Sequence, residues 1–112
     1  QKIKMANNYK FTGVALATVS QTALLTAASG ENIIIKSIRV TNNTANNPTI
    51  TLAVTDTSAS TTYTILNTYR LTANTSEELL EEPVVLETTD ILKATMSSTD
   101  STTVALSYLV IT

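Results

Sequence analysis

Residues Asn32–Asn42 read NIIIKSIRVTN, a run of β-branched residues bounded by Ser29-Gly30-Glu31 before it and the Asn/Pro-rich segment Asn42–Pro48 after it. Such a run is the composition of a central β-strand, and Gly30 supplies a turn residue free to adopt positive φ. Its two faces are unusual. Ile34, Ile38 and Val40 share one parity with Lys36 and Asn42, while Ile33 and Ile35 share the other with Arg39. Neither face is uniformly apolar, which predicts a strand covered on both sides, or one that passes beneath a neighbouring subunit.

Working outward, the cleanest alternation is Thr49–Asp56, where Ile50, Leu52 and Val54 point one way and threonines the other. Leu92, Ala94 and Met96 share a face near the C-terminus. In the last segment Val104, Leu106, Tyr108 and Val110 share one, with Leu109 and Ile111 opposite. Phe11–Leu25 divides into two short strands with a bend near Ser20. Tyr63, Ile65, Tyr69 and Leu71 share a parity interrupted near Asn67. Thr75-Ser76-Glu77-Glu78 resembles a helix cap, but Pro83 would stop the helix after barely two turns, so an extended strand with a corner at Pro83 is preferred.

About eight short strands with turn signals every 8–12 residues, and no substantial helix, define an all-β chain: a single antiparallel β-sandwich, jelly-roll or Ig-like. At 112 residues there is room for one core. Residues 1–10 read as an N-terminal arm and 11–112 as the β-sandwich domain.

Composition narrows function by exclusion. There is no histidine and no cysteine, which removes the commonest general base, thiolate metal sites, cysteine nucleophiles and disulfides. A net charge of −2 leaves no basic surface for nucleic acid beyond Lys2, Lys4 and Lys10, and no apolar run approaches the length of a membrane helix. Glu77, Glu78, Glu81 and Glu82 form the main acidic cluster. Paired carboxylates serve glycoside hydrolysis or calcium binding, but in a local run at a strand edge they are more often a solvated face that discourages edge pairing. Asp56, Asp90 and Asp100 each sit in a turn, where aspartate satisfies local amides. Asn42-Asn43-Thr44 and Asn74-Thr75-Ser76 match the glycosylation sequon by composition. Tyr63 and Tyr69 are either contact tyrosines or a carbohydrate platform. The residues therefore point to a protein that is not an enzyme and has no cofactor.

Two stretches, TALLTAASGENIIIKSIRVTNNT (Thr22–Thr44) and ELLEEPVVLETTDILKATMSS (Glu78–Ser98), resemble small all-β accessory virion proteins of tailed bacteriophages. The likeness lies in an apolar pair (Leu24-Leu25), a glycine turn (Gly30), the strand Ile38-Arg39-Val40-Thr41-Asn42 and the segment Pro83–Ala94. Ala28 stands where that pattern has proline, and Thr89 where it has glycine. The resemblance implies a capsid decoration or cement protein, or a neck/tail accessory or fibre domain that binds a receptor or sugar. It implies a homo-oligomer, by analogy a trimer, made in the host cytoplasm and docked on a major capsid or neck protein. The contact residues expected on that basis are Lys4, Tyr9, Phe11, Glu77, Glu78, Glu81, Leu109 and Ile111, with Lys2–Phe11 as an arm towards a neighbour.

Overall fold

The computed structural model describes residues 7–112 and is all-β. Among the described residues there are nine strands: β1 (Asn7–Leu16), β2 (Thr22–Thr26), β3 (Asn32–Asn42), β4 (Thr49–Asp56), β5 (Thr61–Arg70), β6 (Ser76–Glu78), β7 (Val84–Leu86), β8 (Ile91–Met96) and β9 (Thr102–Ile111). They form two antiparallel sheets. Sheet A has the order β1-β9-β3-β6, with β7 also on β3, and sheet B has the order β2-β8-β4-β5. β1 pairs with β9, β2 with β8, β3 with β6 and β7, and β4 with β5. First with last, nested inwards, is the winding of a jelly roll and decides between the two expected sandwiches.

Between the sheets lies one core, with Ile33, Ile35, Ile38 and Val40 of β3 facing Ile50 and Leu52 of β4, Leu92 of β8, and Val104 and Leu106 of β9. The alternations read in β4, β8 and β9 are the buried faces of those strands. Asn42 is also fully buried. Its Nδ2 donates to the carbonyls of Asn46 and Thr72, and its Oδ1 accepts from the Thr44 amide and hydroxyl, tying two loops to the end of β3. The sequon at Asn42 is therefore structural, its amide wholly used.

The mixed parity of β3 has a different origin from either expectation. A β-bulge between Ile35 and Ser37 inserts Lys36 as an extra residue against β9, where Ile35 faces Tyr108 and Ser37 faces Ser107. Ile33 and Ile35 before it, and Ile38, Val40 and Asn42 after it, all point into the same core. β3 is buried on one face only. The bulge also divides its outer partner: β7 pairs with Ile33–Ile35, and β6 with Arg39–Thr41. Into the gap comes the Glu78 carboxylate, which accepts from the Ile38 amide (2.7 Å), the Ser37 hydroxyl and the Leu80 amide (3.2 Å). The single edge strand expected around Pro83 is thus two short ones, and no helix forms there.

β1 begins at Asn7, so Asn7–Lys10, placed by sequence in the arm, belong to the β1–β9 ladder. At the far tip, Thr89 takes φ 69°, a left-handed conformation that glycine adopts more readily. Its turn is held by the buried Asp90 carboxylate, which accepts from the amides of Glu87 and Thr57.

Two outcomes follow from this geometry. Deleting Lys36 removes the extra residue yet leaves every core residue of β3 pointing inward, so the deletion folds to the same sandwich by near-UV circular dichroism. Glu78→Ala instead strands a part-buried amide and lowers urea stability by about 1–3 kcal/mol. Thr89→Gly relieves a left-handed conformation that costs a β-branched residue about 1–2 kcal/mol. Because glycine also frees the unfolded chain and loses the bond between the Thr89 and Thr57 hydroxyls, the terms offset and urea stability changes by less than about 1 kcal/mol.

Candidate functional site

The two outer faces of the sandwich differ in chemistry. On sheet B the outward residues are largely threonines and small side chains: Thr51 opposite Thr95, Ala53 between Lys93 and Thr64, and Thr55 opposite Thr62. That is a solvated face whose β-branched residues favour the strand without demanding burial. Sheet A is otherwise. Its register lines up Tyr9 of β1, Leu109 of β9, Ile34 of β3 and Val85 of β7 as one cross-strand row of outward side chains. Tyr9 is 79% exposed and Val85 56%, and Leu109 and Ile34 are half-buried between them.

Phe11 extends the row. It is 68% exposed, and its ring lies over Gly13, where an added Cβ would meet the ring at 3.7 Å. Ile111, half-buried, stands on the same outward parity at the other side of the row. An open depression of about 460 Å³ runs against Tyr9, Phe11, Lys36 and Ser107. Lys36 is carried there by the bulge, and Arg39 faces outward two rows further along β3. The patch is therefore apolar with a cationic margin. From Asn7 to Phe11, β1 is exposed on both parities and is secured by its ladder to β9.

Of the expected contact residues, Tyr9, Phe11, Leu109 and Ile111 come together on this face. Lys4 lies outside the described residues. The three glutamates stand apart from the patch. Glu78 is taken up by the bulge, Glu77 accepts a hydrogen bond from the Tyr69 hydroxyl, and Glu81 lies on the opposite flank. Ile34 and Val85 were missed by sequence reasoning. The usable signal for Val85 was parity, since it lies between the inward-leaning Val84 and the buried Leu86.

The other candidate chemistry is absorbed locally. Asp56 accepts from Ser58 and Ala59, and Asp100 from Ser98 and Asn46. Those two bonds hold the Asp100 carboxyl below its ordinary pKa. Among the described residues no group of three or more His, Cys, Asp or Glu side chains is placed to hold a metal ion. Tyr69 is tied to Glu77 rather than presented beside Tyr63 as a flat platform.

The hydrogen bond to Glu77, followed by that carboxylate's charge, raises the Tyr69 phenol above its ordinary pKa. A raised folded-state value means that the bond's contribution is complete below the usual tyrosine range and is lost as pH rises through the shifted value. Glu77→Ala lowers the Tyr69 midpoint towards the ordinary value, read from its ring-carbon NMR shifts. A scan against protein-family models matches none, and a search of curated proteins finds no relative, so the geometry of the sheet A face is what bears on function.

Proposed function

We propose that the chain is a non-enzymatic structural protein of a tailed-phage virion, most simply a capsid decoration or cement protein. In this reading it acts as a homo-oligomer, a trimer by the resemblance already described, docked on a shell or neck protein. The observation that carries the reading is the row Tyr9–Leu109–Ile34–Val85, with Phe11 and Ile111 beside it, on one outer face of a sandwich whose other outer face is threonine-lined.

The physical support is as follows. Apolar side chains continuous across four strands are costly to leave in water, and a contiguous patch is the usual mark of a protein contact. Aromatic anchors with basic neighbours and few acids make up the composition of such contacts. Three strands of about ten residues, β1, β9 and β3, about 4.8 Å apart, with three-residue β7 beyond, offer a face of roughly 500 Å². That approaches the ~800 Å² per partner of a standard interface. Jelly rolls serve viral shells, sugar-binding domains and metal-dependent cupins alike, so the winding alone does not choose among them. Here the side chains favour assembly: the apolar row is a docking surface, and the aspartates that might have held a metal, together with Tyr69, are engaged in local hydrogen bonds.

The test is association. Light scattering is expected to give a trimer, and the protein is expected to co-sediment with shells of the particle it belongs to. Tyr9→Glu and Val85→Glu, both at exposed positions that leave the core intact, weaken that co-sedimentation at least about tenfold, while Thr95→Glu on the outer face of sheet B leaves it unchanged. Equal binding by all three variants, or a monomer that binds no shell, overturns the reading.

A further inference from the structure

A second surface lies on the opposite flank from β1. β6 and β7 pair with separate parts of β3, and the five residues Leu79–Pro83 between them stand against only three of β3, with Leu79 and Leu80 packed against the core. On the facing sheet, β5 leaves regular pairing with β4 at two register shifts around Leu52, with Thr68 at φ 44°. The two sheets consequently do not close on this side. They leave a groove of about 360 Å³ with Leu52, Leu66, Leu79, Leu80 and Val84 along it, 41% exposed Ile65 at one lip, and exposed Glu81 and Glu82 at the other.

We infer that this groove receives residues 2–5, Lys2-Ile3-Lys4-Met5, from a neighbouring copy of the chain, a contact that rests on the homo-oligomer reading above and names how the copies join. The segment alternates cation and apolar residue. In an extended conformation Ile3 and Met5 lie on one side and Lys2 and Lys4 on the other. The first pair matches the leucine-lined floor, and the second matches the carboxylates of Glu81 and Glu82. Three of the chain's seven lysines and arginines lie in its first ten residues, so its densest cationic stretch meets an acidic lip.

Distance assigns the contact to a different copy. Asn7 sits at the β1 edge, level with Ile111 and Asn32, whereas Val84 is beyond β9 and β3 and level with Ile35. Crossing three strand spacings covers about 14 Å, and climbing three residues adds about 10 Å along the strands, a separation of about 17 Å. Met5 lies two residues before Asn7 and reaches at most about 7 Å, and Ile3 about 14 Å. The two apolar residues cannot both enter their own groove. A neighbour's groove has no such limit, and an extended segment laid on an open sheet edge is a familiar mode of recognition.

The chain has no cysteine, which makes the test direct. Ile3→Cys and Leu80→Cys are made as single variants, mixed in equal amounts and oxidised, so that any crosslink between them is intermolecular. The expected result is a crosslinked dimer about tenfold more abundant than from Ile3→Cys mixed with Thr95→Cys, because docking raises the local thiol concentration. A second pair of variants avoids the groove floor. Glu81→Lys with Glu82→Lys weakens self-association about fivefold to tenfold, and Lys2→Glu with Lys4→Glu restores it in the same chain. An oligomer by light scattering that gives no Ile3–Leu80 crosslink and ignores the charge reversal overturns this contact while leaving the homo-oligomer in place. A monomer at all concentrations overturns both.

Discussion

The Glu78 carboxylate, seated in the gap that the β3 bulge opens, is the interaction on which the rest of the sheet depends. β3 is the strand that β9 pairs on one side and β6 and β7 on the other. One extra residue in such a strand would ordinarily turn half its apolar side chains to water. The bulge absorbs Lys36 and keeps both halves facing inward, at the cost of interrupting hydrogen bonding along the outer edge. Glu78 supplies the missing acceptor for the Ile38 amide from the end of β6. A charge-assisted bond replaces a ladder bond, and the chain is then free to depart from β3 before returning as β7.

That departure shapes the surface. The detour through Leu79 and Leu80 leaves an apolar floor partly open, and irregular pairing of β5 widens it. The same bulge delivers Lys36 to the outer face of sheet A, beside Phe11. The flank groove thus goes with the two extra residues between β6 and β7, and the β3 bulge places a cation at the margin of the outward apolar row.

Much of this was legible in the sequence because alternation in β4, β8 and β9 carries little ambiguity: Ile50, Leu52, Leu92, Met96, Val104 and Leu106 can be buried by one sheet face and no other. β3 was harder for a definite reason. An alternation broken by one residue presents apolar side chains on both parities, and composition cannot separate a bulge from burial on two faces. The correct signal was the order of the mismatch, with Ile33 and Ile35 on one side of Lys36-Ser37 and Ile38 and Val40 on the other. The outward apolar row of sheet A was legible where it depended on one strand, as with Leu109 and Ile111. It was hidden where it depended on pairing, since nothing near Val85 in sequence shows that Ile34, Leu109 and Tyr9 stand in line with it. Glu78 was misplaced for a similar reason: its partner amide is forty residues away, and an acidic run looks the same whether solvated or capping a bulge.

The two surfaces together constrain the symmetry of assembly. An arm that leaves one edge and enters a groove at the other, as inferred above, joins two different surfaces, and copies either exchange such arms reciprocally or pass them on heterologously. Heterologous contacts either close into rings or run on as filaments, according to the rotation between copies. In the proposed trimer a three-membered ring would satisfy every groove with one arm and leave the outward apolar rows of the A sheets free. Each face alone is somewhat smaller than a standard interface, but on the proposed reading three of them held in one ring would bind a repeating lattice together, with avidity in place of area.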